Sequence, residues 1–418
     1  MVYPAQVETM NTGQLQVSTV SFADGKAIPD VRVSISYTGE PDRVIEEVTT
    51  NVSGKTGNVE LSAPSLEYSM EPSANQPYSE YNITVNAPGY ETYVVDGVEV
   101  LPGQKSVQNI KLIPQAANQT AELFVIPPHT LFGDYPPKII ESEIKPVNDT
   151  GEIVLSRVVV PEYIVVHDGP PSDASANNYY VPYRDYIKNV ASSEIYATWP
   201  EDTIVANILA IQSFTLNRVY TEWYRNKGYD FTITSSTAVD HKWIPERNIF
   251  QSISDVVDNI FNNFLSRPNV SQPILTQYCD GKRTTCPGVM SQWGSKYLGD
   301  EGYSAIEILR NFYGSTIFIN ETEVISGIPS SWPGYNLEIG SRGDKVRQLQ
   351  NQLNVIATAY PLIPTIAEDG IYGPATSEAV RVFQSIFDLG QTGITDFPTW
   401  FKISEIYVGV SKIAEYVR

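Results

Sequence analysis

The spacing of apolar residues changes along this chain, and that change limits its fold more than any other feature. Over residues 14–114 the period is two, as a half-buried strand requires: LQVSTV and VRVSISYTG alternate, and YNITVNA, ETYVVDGVEVL and VQNIKLIP follow. Turn clusters separate these runs, at Asp24-Gly25, Ser53-Gly54-Lys55-Thr56-Gly57, Asn86-Ala87-Pro88-Gly89-Tyr90 and Pro102-Gly103. The pattern predicts an N-terminal antiparallel β-sandwich over 1–114. Residues 115–160, with IPPHTLFGDYPPKII and ESEIKPVNDTGEIVLSR, are proline-rich and without period. Proline cannot donate to a ladder and restricts the residue before it, so this stretch reads as an extended connector.

From Tyr183 the period becomes helical. Tyr186, Ile187, Val190, Ala191, Glu194 and Ile195 share one face. TWPED ends that helix, and Pro200 suits the first turn of the next, which reads as 201–227 with a stop at Gly228. Ile204, Val205, Ile208, Leu209 and Ile211 make it apolar on several faces, so it belongs at the centre of its domain. A strand in VPEYIVVHDG, a strand in DFTITSSTA, a helix around 249–265, a strand in QPILTQYC and a closing helix SAIEILRNFYG complete a central α+β unit, 161–330. After a linker, GIPSSWPGYN (327–336), residues 337–418 read as a three-helix module. Val346, Leu349 and Leu353 line its first helix, and Pro374 opens a second with Ala379, Val380 and Phe383; a short third follows TGITDFPTW.

Composition narrows the function. At 418 residues the chain holds about two to four domains. Lys+Arg 28 against Asp+Glu 48 gives a net charge of −20, which repels nucleic acid and anionic lipid and favours a neutral or zwitterionic polymer as partner. The 26 tyrosines and 6 tryptophans fit contact with carbohydrate. No apolar run reaches about 18 residues, so no membrane span is expected. Two cysteines exclude a disulfide scaffold, and three histidines (His129, His167, His241) argue against a multi-histidine metal centre; no cofactor is expected. The start, MVYPAQVETMNTGQ, has neither a cationic nor an apolar signal region. Either a signal was removed or the producing cell delivers the protein another way.

Several blocks resemble known families. LEIGSRGDKVRQLQNQLN, DGIYGPATSEAVRVFQ and TGITDFPTW, in that order, resemble the peptidoglycan-binding-1 family, a three-helix module that holds cell-wall glycan or stem peptide. Gly370 and Gly373 are expected to supply a positive φ in its central turn. YIKNVASSEIYATWPEDTIVANILAIQSFTLNR (186–218) and GVMSQWGSKYLGDEGYSAIEILRNFYG (288–314) resemble the stage II sporulation protein D family. That resemblance implies a peptidoglycan lytic transglycosylase whose catalytic glutamate matches Glu194, beside Tyr196 and Trp199. Burial against aromatics raises a carboxyl pKa, which a general acid near pH 7 requires. Members carry Lys and Arg where this chain has Val205 and Gln212, so any orienting role of those cations is lost or moved; Lys188, Arg218 or Lys296 are candidate replacements. Tyr196, Trp199, Asp240, His241, Tyr278 and Gln292 are candidate substrate contacts. Cys279 and Cys286 have three readings: a disulfide, free thiols, or a zinc site completed by His241. The N-terminal unit resembles carboxypeptidase-regulatory-like or pilin-B-like sandwiches and reads as a spacer or folding aid.

The whole order resembles the germination-specific spore cortex-lytic enzymes of clostridia. It implies a zymogen in the spore, outside the forespore, whose substrate is cortex peptidoglycan. A subtilisin-like germination protease would activate it by cutting within the 115–160 connector. Two alternatives stand beside it: a muramidase using Asp240 or Asp280 as second carboxylate, and a non-catalytic wall-binding protein.

Overall fold

The computed structural model describes residues 11–23, 25–115, 122–145, 157–322, 324–325 and 332–411. Residues 116–121 and 146–156 of the expected connector, and 327–331 of the expected linker, lie outside them.

Seven strands follow one another in the first unit: β1 (Asn11–Ser21), β2 (Arg32–Tyr37), β3 (Val44–Thr49), β4 (Val59–Ala63), β5 (Ser79–Asn86), β6 (Tyr93–Val100) and β7 (Lys105–Leu112). A one-turn helix, α1 (Glu67–Met70), sits between β4 and β5. Connector residues Glu122–Val125 form an eighth strand, β8, where the sequence suggests irregular chain. Two sheets result, ordered β7-β1-β4 and β3-β2-β5-β6-β8. Their inward positions, among them Leu15, Val17, Val33, Ile35, Leu61, Ile83, Val95 and Ile110, fill one core. The alternation predicted these faces, but the purely antiparallel expectation is corrected. β1 pairs parallel to β7, from Gln14 opposite Lys105 to Ser21 opposite Leu112, and β6 pairs parallel to β8. Alternation records which face a side chain takes and carries no information on the direction of the neighbouring strand.

The central unit begins with β9 (Tyr163–His167), β10 (Asn178–Pro182), α2 (Tyr183–Glu194) and α3 (Glu201–Tyr220). Its second half comprises β11 (Ile233–Thr234), β12 (Ile249–Phe250), α4 (Gln251–Ile260), β13 (Asn263–Ser266), β14 (Tyr278–Cys279), β15 (Met290–Ser291), α5 (Gln292–Asp300), α6 (Ala305–Tyr313) and β16 (Phe318–Glu321). As its all-round apolar surface predicts, α3 is buried along nearly its whole length, with α2, α4, α5, α6 and β13 packed around it. It ends at Tyr220, short of 227, because Glu222 takes a left-handed φ of 47°; a 3-10 turn over Arg225–Lys227 then leads to Gly228. The expected 249–265 helix is shorter too. Its first two residues pair with β7, and its last turn is β13, paired to β16.

At the C-terminal end, α7 (Asp344–Ala357), α8 (Pro374–Ile386) and α9 (Phe397–Ser411) pack around Val346, Leu349, Leu353, Val380, Phe383 and Trp400. The third helix is as long as the first two, not short. Gly370 has φ +73°, and a Cβ there would stand 3.1 Å from the Gly343 carbonyl oxygen. Gly373 has φ −96°, with open space around it, so the expectation of a positive φ there is corrected.

The three parts touch one another. β12 extends the first sheet, with Ile249 opposite Val107. Beside it Arg247 meets Glu99 at 2.5 Å, both fully buried, and Asn248 exchanges two hydrogen bonds with the Glu99 backbone. Removing one partner of such a pair leaves an unpaired buried charge, at a cost of about 3–5 kcal/mol. The Trp199 indole donates to the Ser69 carbonyl at 2.9 Å. Lys55 of the first unit pairs with Asp388 of the C-terminal module at 2.6 Å, and Arg184 at the start of α2 pairs with Glu405 of α9.

Candidate active site

Glu194 is the last residue of α2, and Ile195 leaves the helix in extended conformation. The carboxyl is 3% exposed, although it ends a helix. The Lys242 backbone N–H donates to its Oε1 at 2.6 Å, and the Tyr278 hydroxyl donates to its Oε2. The Gln292 side-chain amide, at the start of α5, donates to the Glu194 carbonyl at 2.9 Å and fixes the helix end. Burial pushes the carboxyl above the usual range; the Lys138 ammonium, the Lys242 N–H and the Tyr278 hydroxyl pull the other way without reversing it. Such a group holds its proton at higher pH than a free glutamate and can donate it to a leaving oxygen.

The carboxyl opens onto a cavity of about 70 Å³. That is small against the ~300–1,000 Å³ of a typical ligand pocket, although the cavity is partly open to solvent. Connector residues wall it in: Thr130, Asp134, Tyr135, Pro136, Pro137 and Lys138 face Glu194, Tyr278, Asp280 and Gln292. His129 and Thr130 cross the end of α2. The Thr130 N–H and hydroxyl donate to the Ser193 carbonyl at 3.1 and 3.0 Å, and the His129 ring stacks on Tyr196 at 4.5 Å. Arg283 grips the next turn through the carbonyls of Thr130, Phe132 and Gly133. Lys138 then turns inward and donates to the Asp240 carbonyl, its ammonium 4.9 Å from the Tyr278 ring centroid and 5.4 Å from that of Phe214.

The residues singled out by the sequence separate into three groups. Glu194, Tyr278 and Gln292 come together around the cavity. Asp240 and His241 stand behind it. The Asp240 carboxylate accepts from Arg218 Nε at 2.8 Å, the Tyr224 hydroxyl at 2.6 Å, and the Thr234 N–H and hydroxyl at 3.0 and 2.8 Å. His241 is fully buried, stacked on Tyr278 with centroids 5.7 Å apart and 3.2 Å from the Tyr186 hydroxyl; burial, then Lys138 and Arg218, drive its pKa well below the ordinary value. Tyr196 and Trp199 do not line the cavity: they pack against His129, Trp293 and the Ser69 backbone, at the seam with the first unit. Among the replacements considered for the missing cations, Arg218 binds Asp240 and Glu141, Lys188 binds Asp258 at 2.6 Å, and Lys296 binds Asp300 at 2.6 Å.

Cys279 and Cys286 are joined to each other in a disulfide with Cα atoms 5.7 Å apart. The loop they close turns on Asp280, whose carboxylate accepts backbone N–H groups from Lys282, Arg283 and Thr284. Burial would raise this carboxyl, but the Arg283 and Thr284 N–H groups prevail and lower it. No group of three or more His, Cys, Asp and Glu placed to hold a metal ion is present among the described residues. Lys138, Arg283 and the Lys242 N–H escaped sequence reasoning.

Comparison with known proteins identifies the C-terminal part. Residues 342–403 match the family model described as "Putative peptidoglycan binding domain". The chain therefore carries a peptidoglycan-binding domain, formed by α7, α8 and the first half of α9. A zinc D-Ala-D-Ala carboxypeptidase of Streptomyces albus G is 40% identical over 77 residues, which is 18% of this chain; the chain spans about 28% of that relative's length. Similar solved structures include the Bacillus anthracis TIE protein (18% identical, 25% of this chain and 17% of that one, TM-score 0.18). The minor pilin GBS52 of Streptococcus agalactiae is 13% identical over 27% of this chain and 48% of that one, TM-score 0.18. Neither likeness is close enough to carry an argument about fold or function.

Proposed function

We propose that this chain is the latent form of a peptidoglycan lytic transglycosylase of the spore cortex-lytic kind, with Glu194 as acid and base. The observation that carries the reading is a buried carboxyl, with its pKa raised by burial, facing a small cavity that connector residues wall and narrow. Protonated Glu194 gives its proton to the glycosidic oxygen as the bond to the muramyl C1 breaks. The resulting carboxylate takes the proton of the same sugar's 6-hydroxyl as that oxygen attacks C1. No water is consumed, and the product is a 1,6-anhydro end. The Tyr278 hydroxyl and the Lys242 N–H hold both carboxyl oxygens and favour the charged form that follows the first transfer.

Muramidase chemistry on the same bond needs a second carboxylate to activate water. Asp240 stands behind the cavity, held by Arg218, Tyr224 and Thr234; Asp280 lines the cavity, but its carboxylate is engaged by the N–H groups of Lys282, Arg283 and Thr284. That favours the single-carboxyl reaction. The C-terminal domain would hold the enzyme on cortex peptidoglycan in the spore. Cleavage of the connector by a subtilisin-like germination protease would be the activating event, and the narrow cavity walled by connector residues supports an obstructed site before it.

The test is muropeptide analysis of cortex digested by the intact protein and by a chain beginning near residue 155. Anhydro ends, one water lighter than hydrolytic ones, are expected from the shortened chain and not from the intact one. Glu194→Gln in the shortened chain should fold and release none. Hydrolytic ends would convert the reading to a muramidase, equal release by both chains would end the zymogen reading, and binding without release would leave a wall-binding protein.

A further inference from the structure

Past Lys138 the connector leaves the cavity and lies in a groove, without regular secondary structure and with a bend at Glu143 and Ile144. The Ile139 N–H donates to the Ala238 carbonyl at 2.6 Å, and the Gln277 side-chain amide donates to the Ile139 carbonyl and accepts from the Glu141 N–H, both at 2.7 Å. The Leu275 N–H donates to the Glu143 carbonyl at 2.9 Å. The Gln272 amide closes on both the N–H and the carbonyl of Lys145, at 3.1 Å each. Contacts thus recur at every second residue, as they do for a strand added to a sheet edge. The charged side chains of this run that turn inward are two carboxylates, each met by an arginine through two bonds, and Lys145, which is 4% exposed, pairs with Glu141 and lies 4.2 Å from the Trp223 ring centroid. Arg218, whose side chain is fully buried, takes Glu141 at 3.2 and 2.5 Å, and Arg267 takes Glu143 at 2.5 and 2.7 Å. Planar two-point pairing of this kind recognises carboxylate specifically.

We propose that this groove is the subsite for the acidic peptide carried by the glycan substrate, and that connector residues 139–145 occupy it in the intact chain as a stand-in. The inference rests on the glycan-cleaving reading above. In peptidoglycan the muramyl sugar whose C1 is attacked also carries a short peptide bearing carboxylates. A groove that starts beside Glu194 and ends at Gln272 lies where that peptide would run from a sugar bound at the carboxyl. When the connector leaves, two amide side chains and the outer faces of Arg218 and Arg267 lose their partners. Arg218 keeps Asp240 at 2.8 Å, and Arg267 keeps the Tyr313 carbonyl and the Thr316 hydroxyl, so both guanidinium groups stay anchored and present their remaining N–H groups in the opened groove to a carboxylate of the substrate peptide.

The experiment uses the full chain with residues 136–145 replaced by a Gly/Ser segment of equal length, which keeps the first unit and its interface in place. The probe is a fluorescent synthetic peptide of residues 136–145. Saturable binding is expected, weakened by about ten-fold or more when the peptide carries E141Q and E143Q, or when the protein carries Arg267→Gln. Peptide-bearing glycan fragments should displace the probe, and the same fragments stripped of peptide by an amidase should not. No probe binding, equal displacement by both fragments, or displacement by neither overturns the proposal. Release of anhydro ends is measured separately, on the chain beginning near residue 155. If it is absent the transglycosylase reading falls and the peptide result is still read; if it is present with no peptide discrimination, only the subsite falls.

Discussion

One carboxyl in this chain is held by a hydroxyl, a backbone N–H and a nearby ammonium while almost wholly out of water, and its chemistry follows from which effect wins. Burial wins, so the Glu194 pKa lies above that of a free glutamate. If Glu194 is the acid, the rate of the activated enzyme should fall as pH rises through that value, because the proton to be donated is lost. Tyr278→Phe removes a donor that favours the charged form. The pKa should then rise further, the alkaline limb should move to higher pH, and kcat should fall by about ten-fold. A pH–rate profile of the variant checks this; a limb moved to lower pH would assign the acid to another group. Glu194 and Gln292 were legible because each stands in a recognisable block, whereas Tyr278 was marked only by its place at the end of the strand QPILTQYC. Lys242 was not, because it contributes a main-chain N–H that any residue at that position would supply.

At the scale of elements, the helices were read best where their apolar faces are widest. α2 and α3 begin where expected, since Pro182 and Pro200 stand at their N-caps and cannot continue a preceding helix. The short strands were overdrawn, because a period-2 run of polar and apolar residues persists whether or not a partner strand reaches it; of DFTITSSTA only Ile233 and Thr234 pair. The contact of α5 with α3 is equally invisible in a single sequence. Gly299 of α5 lies so close to α3 that a Cβ would stand 2.0 Å from Thr203 Oγ1, and Thr203 is fully buried. Gly299→Ala should therefore push α5 away, lower unfolding stability by about 1–3 kcal/mol, and reduce activity through Gln292 at the other end of the helix. Denaturant titration of the variant measures the first effect. An unchanged midpoint would mean that α5 is free to shift without cost.

For the whole molecule, the contacts between parts matter more than the parts. The C-terminal domain docks through Glu405, whose side chain keeps about 28% of its surface. Burial alone would raise that carboxyl; Lys402 and Arg184 outweigh it and bring it down to about 2. Lys402 lies on the same helix and stays with Glu405 on undocking, so only the part of the lowering due to Arg184 is linked to docking; that part stabilises the docked state at neutral pH and is lost as pH falls toward about 2. The domain should therefore loosen between about pH 4.5 and 2, before the β-sheets unfold, and small-angle scattering should report an increase in radius of gyration in that range. Glu405→Gln should show the larger radius at neutral pH. Expansion only together with global unfolding would show that this ion pair does not control the docking.

What the amino-acid order determined by itself is local: the strand period of the first hundred residues, the apolar face of α2, the all-apolar α3, and the three blocks that mark the peptidoglycan-binding domain. These properties depend on neighbours within a few positions, so periodicity and motif spacing record them directly. Only the tertiary structure decided that β1 and β7 run parallel, that β12 completes the first sheet, and that a proline-rich stretch walls the pocket at Glu194. Each of those joins residues separated by tens to hundreds of positions, and they form because burial and charge pairing are settled in space, where distance along the chain has no bearing.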